Sequence, residues 1–348
     1  MNPLRVAIVD DLALARAVLR RVVGSVPGYQ VAWEAADGAQ AVAKAAADKP
    51  DAILMDLVMP HVDGAAATRQ IMAATPCPIL IVTSSIGTNL TRVYEALGAG
   101  GLDAVNTPTL GPDGTVRGEA PLLARLATIA KTASPFTVPQ VMGSSPPAAT
   151  ASSAGQLPFI AIGASTGGPA AVAQVLSDLG PNVPAAVVVV QHIGSDFTPG
   201  LAGWLSARIG RPVGVCPDGA RAAVGTVSVA GGERHLILDR AGRFQYTDEP
   251  NSSPYRPSVD LFFESLLPVG SPNGVAVLLT GMGADGARGL RKLRDGGWHT
   301  IAQDEATCVV YGMPKAAGQL NAAVEVLPLA RIGAAIRTRF EGVRHPAR

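Results

Sequence analysis

The sequence has few cysteines, almost no net charge and no long apolar run. Its three cysteines, Cys77, Cys216 and Cys308, lie far apart and form no CxxC pair, so they predict neither a disulfide framework nor structural zinc. The net charge of +1 gives no electrostatic basis for nucleic acid or an anionic membrane surface as a main partner. No apolar run approaches the roughly 20 residues of a membrane helix, and the first residues lack the pattern of a signal peptide. We therefore expect a cytoplasmic protein without membrane insertion.

An uncharged segment divides the chain. The 348 residues suit two domains of roughly 150 residues each. Residues 134–157 consist mainly of proline, serine, alanine and glycine and have no helical or strand period, which is typical of a flexible linker. We predict one domain at residues 1–133 and another at residues 158–348.

The N-terminal domain alternates short apolar runs with helical patterns such as Ala13–Val23 and Ala39–Ala47. This alternation predicts a parallel sheet covered by helices on both faces, so we expect a doubly wound, five-stranded α/β domain. The predicted strands are Val6–Val9, Val31–Ala35, Ala52–Met55, Ile79–Val82 and Asp103–Asn106.

The C-terminal domain begins with the same alternation and then changes. Glycine-interrupted β segments such as Thr226–Val229 and His235–Leu238 predict antiparallel hairpins. We expect an α/β domain with a mixed, mostly parallel sheet and a β-hairpin region. Its other predicted elements are the strands Phe159–Gly163, Ala186–Val190 and Val275–Leu279 and the helices Pro169–Leu179 and Ala287–Arg294.

Three acids lie at predicted strand ends of the N-terminal domain. Asp10 and Asp11 follow the first strand, Asp56 follows the third, and Thr83 follows the fourth. Carboxyl ends of parallel strands meet at one edge, where three carboxylates repel unless a cation such as Mg²⁺ joins them. With that charge shielded, one carboxylate can accept a phosphoryl group, to which Thr83 can donate a hydrogen bond. The alternative for Asp11 alone is a helix cap.

These residues resemble a response-regulator receiver domain, through V-D-D near the N-terminus and D-L-V-M-P-H-V-D-G from Asp56. The resemblance spans roughly residues 4–125 and implies Asp56 as phosphoacceptor, Asp10 and Asp11 as Mg²⁺ ligands and Thr83 as switch hydroxyl. Receivers usually carry a lysine before the proline that follows the fifth strand, but here V-N-T-P places Thr107 there. A threonine offers only a neutral hydrogen bond to a phosphoryl group.

The stretch I-G-A-S-T-G-G-P allows two interpretations. A dinucleotide-binding turn reads G-x-G-x-x-G, but Ser165 occupies the place of the middle glycine, where a side chain crowds a pyrophosphate. The same letters, from Gly163 to Gly167, also fit the G-x-S-x-G turn that exposes a nucleophilic serine.

A nucleophilic serine requires a base and a group that orients the base. His192 ends the next predicted strand and Asp285 follows a third, so both can converge on Ser165. Their alternatives are a packed histidine, a turn aspartate and a serine helix cap. The chain order Ser, His, Asp argues against an α/β-hydrolase but leaves triad chemistry open.

Five motifs in the same order resemble the catalytic domain of the CheB receptor methylesterases, over about residues 158–330. The resemblance implies phosphorylation-regulated hydrolysis of glutamate γ-methyl esters on chemoreceptors, often with deamidation of receptor glutamines, and a CheA-type histidine kinase as phosphodonor. Some relatives serve surface sensing. The resemblance also implies that ester hydrolysis needs no cofactor. The motifs are G-A-S-T-G-G-P, Q-H-I, Y-R-P-S-V-D, L-T-G-M-G-A-D-G-A and Q-D-E-A-T-C-V-V-Y-G-M-P.

Within this interpretation, Ser165 attacks, His192 carries the proton and Asp285 orients His192. Backbone N–H groups near Thr166 and Met282 are the expected oxyanion donors, and Thr166 also positions His192 by a hydrogen bond or packs in the turn. Arg256 contacts substrate or forms a structural ion pair. A non-catalytic signalling adaptor is the alternative of another class, whereas the neutral charge disfavours a DNA-binding output.

Overall fold

A computed structural model describes residues 3–84, 86–131, 157–182, 184–251, 253, 255–269 and 274–340. The chain divides into two compact units, Met1–Thr137 and Val138–Arg348. Apart from Leu157, the predicted linker at residues 134–157 lies outside the described residues. Within those described ranges, no helix has the length and apolar character needed to cross a membrane.

The N-terminal unit is built on a five-stranded sheet with strand order β2-β1-β3-β4-β5, in which every pairing is parallel. All residues of β3 and β4 are buried, which explains why these strands read as continuous apolar runs. The elements are β1 (Leu4–Val9), α1 (Ala13–Gly24), β2 (Tyr29–Ala35), α2 (Gly38–Ala47), β3 (Ala52–Met55), α3 (Gly64–Ala74), β4 (Ile79–Thr83), α4 (Ile86–Gly98), β5 (Asp103–Asn106), the short hairpin β6 (Thr109–Leu110) and β7 (Val116–Arg117), and α5 (Ala120–Lys131). The doubly wound fold is therefore confirmed.

The C-terminal unit is built on a seven-stranded sheet with order β10-β11-β9-β8-β14-β15-β16 and a separate hairpin of β12 and β13. The strands are β8 (Phe159–Ala164), β9 (Ala186–Gln191), β10 (Val213–Val215), β11 (Val227–Val229), β12 (His235–Leu238), β13 (Phe244–Thr247), β14 (Val275–Leu278), β15 (His299–Gln303) and β16 (Glu325–Leu327). The α-helices are α6 (Gly168–Leu179), α7 (Thr198–Ile209), α8 (Val259–Leu266), α9 (Ala287–Asp295), α10 (Met313–Gln319) and α11 (Leu329–Phe340).

One expectation about this sheet is wrong. The segment Thr226–Val229 was expected in an antiparallel hairpin, but β11 pairs in parallel with both β9 and β10, so the main sheet is parallel throughout rather than mixed. Val227 and Val229 are buried, and they extend the covered face of the sheet beyond β9. Only His235–Leu238 forms the predicted hairpin, with Phe244–Thr247.

A hydrophobic core lies between the seven-stranded sheet and α8. Phe262 and Phe263 of α8 are fully buried, and the Phe262 ring packs at 6.2 Å from that of Phe159 on β8. The helix is short, but two large aromatic side chains anchor it against the sheet. Its N-terminus is thereby held in a fixed position near the carboxyl ends of the strands.

Candidate active site

The strand order locates the site of the C-terminal unit. From β8 the sheet continues to β9 on one side and to β14 on the other, so the chain reverses its direction of winding between β8 and β14. Ligands of open α/β sheets bind outside the strand carboxyl ends at such a switch point. Ser165 follows β8, His192 follows β9 and Asp285 lies in the turn after β14, so the three residues share this edge.

Two neighbouring strands hold the turn that carries Ser165. The N–H of Ser165 donates to the Thr280 carbonyl (3.0 Å), and its own carbonyl accepts from Gln191 Nε2 (2.7 Å). Gly167 has a φ of +76°, and a Cβ there would lie 2.6 Å from the Cβ of Val309. Only glycine fits this left-handed position without moving its neighbour, so the turn fixes where Ser165 stands.

His192 and Asp285 are joined directly. His192 Nε2 lies 2.8 Å from Asp285 Oδ2, and the two residues are only 8% and 7% exposed. Within the described part of the chain, His192 Nδ1 is buried and has no hydrogen-bond partner. Ala164 and Gln191 are paired across β8 and β9, which makes the next residues, Ser165 and His192, neighbours. The imidazole thus has one nitrogen bound to a carboxylate and the other available to exchange a proton.

The N-terminus of α8 surrounds the Asp285 carboxylate. Its Oδ1 accepts hydrogen bonds from Ser258 Oγ (2.8 Å) and from the Asp260 N–H (3.0 Å). Its Oδ2 accepts a hydrogen bond from the Val259 N–H (2.7 Å) in addition to the contact with His192. Burial alone would raise the pKa of Asp285, but the His192 contact and the two backbone N–H groups hold this pKa below its usual value. Asp285 is therefore kept as an anion that can orient a histidine and balance its positive charge.

Ser258 is itself held by His235, a contact that the sequence analysis missed. The Ser258 N–H donates to His235 Nδ1 (3.2 Å), and His235 is completely buried. Burial, and then the charge of Arg256, lowers the pKa of His235. A neutral imidazole can accept this hydrogen bond, whereas a protonated one cannot. The local pattern placed His235 only in a hairpin, because its partner lies 23 residues further along the chain.

Thr280 connects the turns around the site. Its N–H donates to Gln303 Oε1 (2.9 Å), and its hydroxyl donates to the Thr166 carbonyl (3.0 Å) and accepts from the Val310 N–H (2.9 Å). Thr280 and Gln303 are completely buried. These bonds tie the turns that follow β8, β14 and β15 into one rigid rim.

The remaining predicted residues lie near this rim. Thr166 is buried next to Ser165, and Met282 is partly buried in the turn that carries Asp285. The expected oxyanion donors and the expected hydrogen bond from Thr166 to His192 stay predictions. Arg256 pairs with Asp248 (3.5 Å) and donates to Asn251 in the same loop, so the structure shows the ion pair foreseen as one of its two roles.

The acids of the N-terminal unit lie together. Asp10, Asp11 and Asp56 each place a carboxylate oxygen within 4.8 Å of the others. Burial, and then the charge of Asp10, raises the pKa of Asp56 to about 6. Burial also raises the pKa of Asp10. Closely spaced, partly desolvated oxygens of this kind fit a hard divalent cation such as Mg²⁺.

Thr83 and Thr107 lie at the same edge of this sheet. Thr83 ends β4 and is buried, and its carbonyl accepts from the Thr107 N–H (3.1 Å). Thr107 directly follows β5, at the place where receivers usually carry lysine. The edge near Asp56 therefore has a hydroxyl at each of these two positions.

Together, the two folds and their sites define a hydrolase domain joined to a response-regulator receiver domain. Residues 160–336 match the CheB methylesterase family, and residues 6–109 match the response regulator receiver domain family. The chain belongs to the CheB methylesterase family.

Full-length relatives agree with this assignment. The chain is 46% identical to protein-glutamate methylesterase/protein-glutamine glutaminase 1 of Cupriavidus pinatubonensis, over 99% of each chain. It is 50% identical to a Burkholderia lata protein of the same name, over 94% of this chain and 97% of that protein. The solved CheB methylesterase catalytic domain of Thermotoga maritima is 34% identical and covers 52% of this chain and 98% of its own, with a TM-score of 0.49.

We predict that the Ser258 hydroxyl is needed for full activity. Ser258→Ala removes one donor to the Asp285 carboxylate and should lower kcat for a small activated ester roughly tenfold, equivalent to about 1.4 kcal/mol. Ser258→Thr keeps a hydroxyl and is the matched control. Because Ser258 also caps α8, thermal unfolding should be followed in parallel, with an expected loss of about 1 kcal/mol. An unchanged kcat in folded Ser258→Ala would show that Asp285 does not depend on this hydroxyl.

Proposed function

We propose that this protein hydrolyses glutamate γ-methyl esters on chemoreceptors, releasing methanol, and deamidates receptor glutamines. The observation that carries this proposal is the imidazole of His192, which is bound to Asp285 through Nε2 and whose Nδ1 has no hydrogen-bond partner among the described residues. The backbone N–H of the same residue donates to the carbonyl of Ala164, the residue before Ser165. The names of the full-length relatives supply the substrate class. Esters and amides of a glutamate side chain react by the same acyl transfer, which accounts for both activities at one serine.

In this proposal, each nitrogen of His192 has a separate role. Nδ1 accepts the proton of Ser165 Oγ as this oxygen attacks the ester carbonyl, while Nε2–H donates to Asp285. Nδ1 then returns the proton to the departing methanol and later activates water to cleave the acyl-enzyme. Asp285 stays ionised and balances the imidazolium at each stage.

The oxyanion donors lie beyond the nucleophile itself. The Ser165 N–H already donates to the Thr280 carbonyl, and the Gly281 N–H donates to the Val310 carbonyl. We infer that backbone N–H groups near Thr166 and Met282 stabilise the tetrahedral intermediate.

Ser165→Ala should abolish methanol release from methylated receptor membranes, because it removes the hydroxyl that forms the acyl-enzyme in the proposed mechanism. Ser177→Ala is the matched control, since Ser177 is exposed on α6, the helix that follows the same turn. Both variants should keep the unfolding temperature of the native protein. Methanol release by Ser165→Ala at the native rate would end the proposal that this protein is a serine esterase.

Activity should be higher at pH 8 than at pH 5, because only a neutral imidazole can accept a proton from Ser165. Asp285 should add no transition there, because its pKa is held below its usual value. Its stabilising charge is present at neutral pH and is lost only as acidification reaches that lowered pKa. kcat/KM from methanol release tests this, and a flat profile would remove His192 as the base.

The receiver unit regulates this activity in our proposal. Asp56 accepts a phosphoryl group from a CheA-type histidine kinase, and the Thr83 hydroxyl donates a hydrogen bond to it. The carboxylates of Asp10, Asp11 and Asp56 fit Mg²⁺, because their oxygens lie within 4.8 Å of one another and burial raises the pKa of both Asp10 and Asp56. When bound, Mg²⁺ supplies the positive charge that offsets both the carboxylates and the incoming phosphoryl group. We place the protein in the cytoplasm, where such a kinase acts.

A threonine at position 107 should weaken the response to phosphorylation. A small phosphodonor with Mg²⁺ should raise esterase activity less in the native protein than in Thr107→Lys, because lysine adds a charged contact to the phosphoryl oxygens. Asp56→Asn is the control and should show no response. A strong response in the native protein that Thr107→Lys leaves unchanged would contradict this coupling.

A further inference from the structure

A tyrosine ring lies flat against the imidazole of His192. The centroids of the Tyr255 and His192 rings are 4.8 Å apart, and their planes differ by 9°. His192 is also bonded at its edge to Asp285. The histidine is thus held in two directions, in the plane of its ring by a carboxylate and across that plane by an aromatic face.

Tyr255 is itself held in place from both ends. Its carbonyl accepts from Ser253 Oγ (3.1 Å), within the loop that leads to the N-terminus of α8. At the other end, a Cβ on Gly283 would lie 2.2 Å from the Tyr255 hydroxyl oxygen. Gly283 belongs to the turn that carries Asp285, so the phenol occupies space that this glycine leaves open. The tyrosine therefore joins the α8 loop to the same turn that orients His192.

Such a stack has two consequences for a general base. The stacked ring restricts rotation of the imidazole about its Cβ–Cγ bond. Nδ1 therefore keeps one orientation while Nε2 stays hydrogen-bonded to Asp285. The stack also places the negative face of a π-system against a ring that becomes cationic when it accepts a proton. Both effects are larger in the transition state than in the resting enzyme, so they act on kcat more than on KM.

We propose that Tyr255 is a positioning residue of the esterase, which fixes the plane of His192 and stabilises its imidazolium form. This inference rests on the proposed function, because it assigns a partner to the proposed base. The ring carries the effect, and the hydroxyl does not.

Three substitutions at one position test the inference in the full-length protein. Tyr255→Leu and Tyr255→Met remove the aromatic face and should lower kcat for methanol release roughly three- to thirtyfold, with KM within about twofold. Tyr255→Phe keeps the ring and should recover most of this loss. Proton NMR should show the downfield resonance of the His192 Nε2–H bond to Asp285 in the native protein and Tyr255→Phe, and a broadened or missing signal in the other two.

Each outcome of these measurements either supports or contradicts the role of the Tyr255 ring. Native kcat in either folded non-aromatic variant, or an equal loss in Tyr255→Phe, would overturn the role of the ring. A loss that appears in KM alone would also overturn it and would assign Tyr255 to substrate binding. Using two non-aromatic replacements keeps the test decisive if one of them fails to fold. Ser165→Ala, assayed alongside, shows independently whether the proposed esterase itself has failed.

Discussion

A carboxylate that is only 7% exposed has to be surrounded by donors, and Asp285 obtains four. Three come from Ser258, which caps α8, and from the first two residues of that helix, and one comes from His192. The positive, N-terminal end of the α8 dipole also points at the Asp285 carboxylate. Satisfying this one group therefore fixes the position of α8, the loop before it and the edge of the imidazole. The packing of Phe262 and Phe263 against the sheet holds the N-terminus of α8 next to the Asp285 carboxylate.

The same residue type has the opposite character in the receiver unit. Asp56 accepts a hydrogen bond from the Val58 N–H (2.9 Å), but it lies close to Asp10 and Asp11, and burial with these charges raises its pKa to about 6. Asp285 has its donors built into the fold, whereas the acids around Asp56 form a cluster that fits a divalent cation. The first arrangement suits a permanent part of a catalytic site. The second suits a site whose charge changes when a ligand or a phosphoryl group arrives.

The sequence predicts the parts of the site that follow directly from strand ends. Gly163 to Gly167, His192 and Asp285 stand after apolar runs, and the geometry of parallel sheets brings such positions to one edge. Tyr255 and Ser258 belong to the motif Y-R-P-S-V-D, but no strand-end rule places them at the site. They lie in a loop and at a helix start, whose positions depend on tertiary packing. The parallel pairing of Thr226–Val229 was missed for a similar reason. A short valine-rich segment between glycines can pair with a neighbouring strand in either a parallel or an antiparallel orientation. Its parallel pairing with β9 depends on the tertiary structure.

The chain order Ser, His, Asp follows from the winding of the sheet rather than from the chemistry. Ser165 follows β8 at the switch point. The next strand in the chain, β9, lies on one side of β8, and β14 lies on the other. A base that follows β9 and an acid that follows β14 thus flank the nucleophile without any long connection crossing the site. The β14 turn also accepts the Ser165 N–H through the Thr280 carbonyl, so the strand that carries the acid holds the nucleophile as well. Because the Ser165 N–H is already bonded in this way, the proposed mechanism takes its oxyanion donors from neighbouring residues. In the proposed mechanism, the winding of the sheet therefore accounts for the order of Ser165, His192 and Asp285 along the chain and limits which N–H groups can stabilise the oxyanion.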